Sequence, residues 1–385
     1  MNPSRLAGRA RGLRRLAAVA LLAGHALAAS AADIVVGQVA PLTGVLASTG
    51  RDMVLGAKIW FDHVNAGGGV NGSKIRHIVA DDGYQVAETV RLTKELIDKE
   101  NAVALIGFAG TANVGELQKR GVLEAGRIAL VAPYTGGEVL RAASNRHIFH
   151  IRAGYADEAE HMVDHLVTLG VKKIAVFYQN DGFGEAGKKG VEAALAKREL
   201  KLAAAAGYER NTDDVAAAVA TLRQADVGAI IMISVNRPTA AFARSYRAAG
   251  GSAQLFNISV VDAGQLVKLA PLQATHGLGI SQVMPFPYSD SLPVTREFKK
   301  LFARYAPADA AISYTNFEEF IGAKVLVEAI RRAGANPTPE KVVRALETLG
   351  SHDVGGFSVS FSPDNRIGSR FVEVTVIGRN GNLLR

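Results

Sequence analysis

The chain has 385 residues, 48% of them hydrophobic, with 44 Lys+Arg against 36 Asp+Glu. Five of the arginines (Arg5, Arg9, Arg11, Arg14 and Arg15) lie at the N-terminus, so the chain from Asp33 onward carries 39 basic against 36 acidic side chains, a near-neutral +3. That balance offers no electrostatic footprint for nucleic acid or an anionic membrane, and the absence of cysteine excludes disulfides, thiol catalysis and a lipid-anchor cysteine.

Residues 1–15 contain no acid; the short apolar run Leu16–Ala23 follows, then small residues ending in Ala31 and Ala32. A basic head, a short apolar middle and a small-residue end read as a secretory signal peptide over 1–32. The apolar run falls far short of the ~20 residues that span a bilayer. Arg14-Arg15 suits twin-arginine export and an ordinary basic head equally. The working protein is expected in the periplasm, away from ATP and nicotinamide cofactors. Its remaining length fits two domains of ~100–200 residues each.

From Asp33 the chain alternates apolar strands with amphipathic helices. The strand pattern covers Ile34–Ala40, Lys74–Ala80, Ala102–Gly107, Ala129–Ala132 and His147–Arg152. It runs a second time over Lys173–Tyr178, Lys201–Tyr208, Ala229–Ile233, Gln254–Ser259 and Gly277–Gln282. Near-continuous Val/Ile/Ala runs suit parallel strands covered by helices on both faces. Helical spacing appears in Glu88–Lys99 and Asp157–Leu169, and again over 294–306, 314–333 and 339–349. The tail alternates like strands over Gly356–Phe361 and Arg370–Ile377. The expected fold class is α/β with two doubly wound parallel sheets.

In such sheets ligands bind at the carboxyl ends of the strands. The loops there are Thr43–Gly50, Asp81–Tyr84, Phe108–Asn113, Pro133–Glu138, Ala153–Tyr155, Gln179–Gly184, Ser234–Arg237 and Ser259–Asp262. They are rich in Gly, Ser, Thr, Tyr and Asn and poor in groups that drive catalysis. The segments Gly110–Asn113 and Tyr134–Gly137 are read as leading straight into helices. Hydroxyls and free N–H groups there would hold a carboxylate without a basic side chain, through Thr111, Thr135 and Gly136; ordinary helix capping is the competing reading. Thr49, Tyr134 and Asn236 belong to the same set of loops.

Two enzyme-like signals are weighed and set aside. Gly182–Gly187 matches the dinucleotide fingerprint, with Glu209 at a fitting distance. Three residues separate it from the strand end, and the compartment lacks the cofactor. His161 and His165 share a helix face at zinc-ligand spacing but lack a third ligand. No cofactor and no metal are expected. Asp81 and Asp82 read as a strand end and turn cap rather than an acid–base pair.

The ordered series Val36–Gly44, Gly50, Asn65–Gly72, Ala80–Asp82, Ile106-Gly107, Asp181–Gly184 and Tyr314–Ala329 resembles the leucine/isoleucine/valine-binding type of solute receptors for ABC transporters. The resemblance implies two lobes joined by three crossovers and closing on a ligand by a hinge. The first lobe would hold 33–152 plus about 283–354, the second 153–282 plus about 355–385. It implies that Thr111 binds a ligand carboxylate, that Tyr134, Thr135 and Gly136 add contacts, and that Tyr155 and Phe183 line the pocket. Receptors of this type place an acid for the ligand ammonium at the position of Ser259. Here Asp262 would substitute, or the ligand lacks an α-amino group. The implied function is capture of a small organic carboxylate or amino acid for a membrane permease, by a monomer that is not an enzyme. A sensor subunit and an exported NAD-dependent oxidoreductase are the alternatives.

Overall fold

The computed structural model describes residues 32–142 and 144–385. The expected signal peptide therefore lies almost wholly outside the described residues. Among those described, no helix is long and apolar enough to cross a membrane.

The first lobe is built on five parallel strands in the order β2-β1-β3-β4-β5. These are β1 (Ile34–Ala40), β2 (Ile75–Asp81), β3 (Ala104–Ile106), β4 (Leu130–Val131) and β5 (Ile148–Phe149). The second lobe holds β6 (Ile174–Gln179), β7 (Ala204–Tyr208), β8 (Ala229–Ile233), β9 (Gln254–Asn257) and β10 (Gly279–Gln282). β11 (Gly350–Asp353) and β12 (Ser358–Phe361) form a separate hairpin; β13 (Glu373–Ile377) and β14 (Leu383–Leu384) complete the second sheet. That sheet runs β14-β13-β10-β9-β8-β6-β7. β13 lies antiparallel to β10, and β14 antiparallel to β13. All seven residues of β1 and all five of β8 are buried, as expected of strands covered on both faces.

The helices are α1 (Ala47–Ala66), α2 (Val86–Asp98), α3 (Thr111–Lys119), α4 (Tyr155–Thr168), α5 (Gly182–Ala196), α6 (Ala216–Gln224), α7 (Asn236–Ala248), α8 (Ala263–Leu269), α9 (Pro293–Tyr305), α10 (Tyr314–Ala333) and α11 (Pro339–Glu347). Single-turn helices at Val122–Ala125 and Leu272–Thr275 add to these. α10 is buried nearly all round, so it reads as a core helix rather than a surface one. Ser313 starts it with a capping box: its hydroxyl accepts from Asn316 N–H at 3.1 Å, and Asn316 Oδ1 accepts from Ser313 N–H at 2.9 Å. α1 crosses it at Gly56, where any Cβ would overlap the Asn316 backbone.

The chain passes between the sheets three times: after β5, after β10, and between β12 and β13. Val359 and Phe361 of β12 join the core of the first lobe. Gly368 N–H donates to the His150 carbonyl at 2.7 Å. The return to the second sheet thus comes near Glu373, against a boundary of about 354/355 given with the family resemblance.

Candidate ligand-binding site

The carboxyl ends of the two sheets converge on one small cavity of about 10 Å3, room for roughly a single water. Leu46, Tyr84, Gly110 and Tyr134 line it from the first lobe; Tyr155, Phe183, Val235 and Val260 line it from the second. Tyr155 and Phe183 pack edge to face with centroids 5.5 Å apart, a favoured aromatic geometry. No ionisable group other than tyrosine lines the wall. Burial pushes all three tyrosine hydroxyls up from their ordinary range, so they stay neutral hydrogen-bonding groups.

Of the residues singled out in the sequence, Tyr134, Tyr155 and Phe183 line this cavity. Thr111 and Thr135 are buried, their hydroxyl oxygens 2.7 Å apart. Gly137 N–H donates to Thr135 Oγ1 at 3.1 Å, and the Gly136 carbonyl accepts from Tyr155 N–H at 2.8 Å. Thr111 opens α3, but the cap position is Gly110; its hydroxyl is committed to Thr135 and is not the cap. The Tyr134–Gly137 segment runs into a single 3-10 turn, Glu138–Leu140, and not into a helix. The helix read from sequence is missing there because Gly136-Gly137 is too extended and too tightly packed on Tyr155 and Thr111 to wind.

Thr49 and Asn236 meet across the lobes. Asn236 Nδ2 donates to Thr49 Oγ1 at 3.3 Å, and Asn236 Oδ1 accepts from Asp262 N–H at 2.8 Å. Neither lines the small cavity. Asp262 caps α8, accepting from Gln265 N–H at 2.9 Å. Its carboxylate faces a separate space of about 330 Å3 beside Asp52, Lys268 and Tyr288.

Ser259 is turned away into a buried ionic network. Its hydroxyl and N–H both donate to Glu158, at 2.9 and 2.7 Å, and Ser281 adds a third donor at 2.5 Å. Arg152 also donates to the Ser259 hydroxyl. Arg152 lies 4.7 Å over the Tyr134 ring, 4.0 Å from Glu158 and 3.6 Å from Glu318. Burial raises the Glu158 carboxyl above its ordinary range, opposed by Arg152 and by the three donors aimed at it. Burial holds the Glu318 carboxyl up at about 7, and pushes Glu319 well up too. The Tyr134 hydroxyl donates toward the Ser259 carbonyl at 3.3 Å and lies 3.0 Å from Thr315 Oγ1, so the network touches the back of the cavity wall.

Sequence reasoning missed Leu46, Tyr84, Val235 and Val260 as wall residues, and Arg152 and Glu158 behind them. Each wall residue is an apolar or aromatic side chain in a carboxyl-end loop, which was the readable signal. The Gly182–Gly187 glycines serve packing: a Cβ on Gly184 would overlap the Gln179 carbonyl, and one on Gly187 would overlap Ile233. Asp181 caps α5, accepting from Phe183 N–H at 2.9 Å. Asp81 and Asp82 close the turn after β2: Asp81 accepts from Leu42 N–H at 2.8 Å and Asp82 from Tyr84 N–H at 2.9 Å.

The model of the family described as periplasmic binding protein matches residues 33–381. The chain belongs to the periplasmic binding protein family. An amino acid binding protein of Pseudomonas aeruginosa is 27% identical over 86% of this chain and 85% of its own. Leu/Ile/Val-binding protein homolog 7 of Brucella melitensis is 24% identical over 91% and 90%. Among solved structures, a substrate-binding periplasmic protein from Ralstonia solanacearum is 42% identical with a TM-score of 0.88, covering 91% of this chain and 99% of that one. A possible leucine/isoleucine/valine-binding protein from Rhodopirellula baltica SH 1 is 27% identical with a TM-score of 0.87, covering 94% and 98%. The two-lobed periplasmic-binding-protein fold of type I is shared with these structures, and the cavity sits where the two sheets face each other.

Proposed function

We propose that this periplasmic binding protein is exported by its N-terminal signal peptide, captures a small organic carboxylate between its lobes, and delivers it to the permease of an ABC transporter. It acts as a monomer and does no chemistry on the ligand. The observation that carries the reading is the cavity wall: Tyr84, Tyr134, Tyr155, Phe183 and aliphatic side chains, with no carboxylate among them. Once the lobes part beyond the present room for about one water, such a wall suits an apolar or aromatic body held by hydroxyl and backbone groups. An α-ammonium there would be desolvated without a partner, which is costly. In this reading the polar end falls to Thr111, Thr135 and Gly136, with Tyr155 beside them. The second reading, an α-amino acid, is favoured by what the Pseudomonas and Brucella relatives are named for.

A thermal-shift screen of residues 33–385, refolded to strip carried-over ligand, tests the proposal. The panel holds branched-chain and aromatic amino acids, aliphatic and aromatic acids, amides and NAD. A ligand at 100 times its dissociation constant adds about 2.7 kcal/mol. A rise with acids supports the proposal, a rise with amino acids alone supports the second reading, and a rise with NAD alone overturns both.

A further inference from the structure

One side chain outside the cavity ties together two of its walls. Arg210 lies in the second lobe, between β7 and α6. Its Nη1 donates to Asp181 Oδ2 at 2.6 Å. Its Nη2 crosses to the first lobe and donates to the Tyr84 carbonyl at 2.6 Å and to Asn113 Oδ1 at 2.6 Å. The guanidinium carbon lies 3.6 Å from the centroid of the Tyr84 ring, close enough for a cation–π contact.

Each partner holds part of the cavity. Tyr84 is in the left-handed region at φ 62°, a conformation that costs a bulky residue energy and persists only when neighbours fix it. Asp82 accepts from the Tyr84 N–H, and Arg210 binds its carbonyl. The Tyr84 hydroxyl accepts from Gln179 Nε2 at 3.4 Å, and Gln179 Nε2 also donates to Asp181 at 2.8 Å. Asp181 in turn caps the helix that carries Phe183. Arg210 thus bonds, through Tyr84 and through Asp181, to one aromatic wall from each lobe. Its planar fork suits this: three charge-assisted bonds and a stacking face on one rigid group.

We infer that Arg210 is the positioning residue that locks the two lobes together and sets Tyr84 into the cavity wall. The protein's own polar contacts then hold a closed population before any ligand adds to it. Opening the lobes breaks the bonds to Tyr84 and Asn113 while leaving Asp181 paired, so the latch rides with the second lobe.

The chain lacks cysteine, so two spin labels are placed cleanly. Exposed Lys94 on α2 and exposed Lys201 before β7 become cysteines, and pulsed electron-electron resonance reads the interlobe distance without ligand. The unmodified latch is expected to show a short-distance population. Arg210→Gln is expected to lower the closed-to-open ratio at least about tenfold, with the far-UV spectrum unchanged. Arg210→Lys keeps the charge but not the fork, and is expected to shift the ratio in the same direction by less. A distribution identical in all three proteins overturns the inference, as does the absence of the short distance when Arg210 is intact. Neither outcome depends on which small molecule the cavity takes.

Discussion

The Ser259 hydroxyl donates to Glu158 Oε1 at 2.9 Å while its N–H holds the other carboxylate oxygen. This pairing directs the polar group of the Ser259–Asp262 loop into the protein and leaves Val260 to face the cavity. The same carboxyl lies 4.0 Å from Arg152, which is wholly buried, with Glu318 at 3.6 Å as its other acidic partner. Glu158→Gln removes that acidic partner and leaves a buried guanidinium with poorer compensation. The variant is expected to lose about 3–5 kcal/mol in urea unfolding. A loss under about 1 kcal/mol would show that Glu318 alone balances Arg152.

Thr111→Val tests the proposed role of Thr111, which is buried beside the cavity without lining it. It keeps the shape but deletes the hydroxyl that meets Thr135. Ligand affinity by calorimetry is expected to fall by roughly 1–3 kcal/mol. Unchanged affinity would make the Thr111–Thr135 pair purely structural.

Gly184→Ala separates packing from a dinucleotide role. Alanine normally helps a helix, but here its Cβ would overlap the Gln179 carbonyl at the strand end. The variant is expected to destabilise by about 1–3 kcal/mol, as overpacking does. A stabilised Gly184→Ala would refute the close approach of α5 to β6.

The fold was readable wherever burial was continuous. Ile34–Ala40 and Ala229–Ile233 are strands over the very residues expected, because both faces are covered and, Gln38 apart, no position is polar. β4 and β5 keep only two residues each, inside the runs Ala129–Ala132 and His147–Arg152. The Gly350–Asp353 strand was not readable, since its residues are mostly exposed and polar. Within the site, Tyr134, Tyr155 and Phe183 were named through the family resemblance, and all three line the cavity. Tyr84 and Val260 were not singled out, because their burial comes from the opposite lobe. The Arg210–Tyr84 contact joins positions 126 residues apart, and no local pattern encodes it. Ser259 was legible as a departure from the family's acid, but its partner Glu158 was hidden in an ordinary amphipathic helix.

The buried carboxyls predict a pH dependence. Glu318 is held up at about 7 from 4.5 by burial, with Glu158 adding to the rise and Arg152 and Arg141 opposing it; Glu319 is raised by burial and by Glu318. The unfolded chain ionises Glu318 near 4.5, whereas the folded protein keeps the proton until near 7. Between those values the folded state binds the extra proton, so stability falls as pH rises. Glu318→Gln is expected to flatten this decline in urea midpoints measured from pH 5 to 7.5. Parallel profiles for the two proteins would remove Glu318 as the source.

The central claim, that the interlobe cavity takes a carboxylate without an α-amino group, is tested most directly by matched calorimetric titrations. Leucine is compared with 4-methylpentanoate, and phenylalanine with 3-phenylpropanoate; each pair differs only in the amine. The cavity wall predicts that at least one acid binds and that its amino-acid partner binds at least about 100-fold more weakly, the cost of an unpaired buried ammonium. Amino acids binding as tightly as the acids, or more tightly, would contradict the account and place a carboxylate, Asp262 foremost, within reach of the ligand.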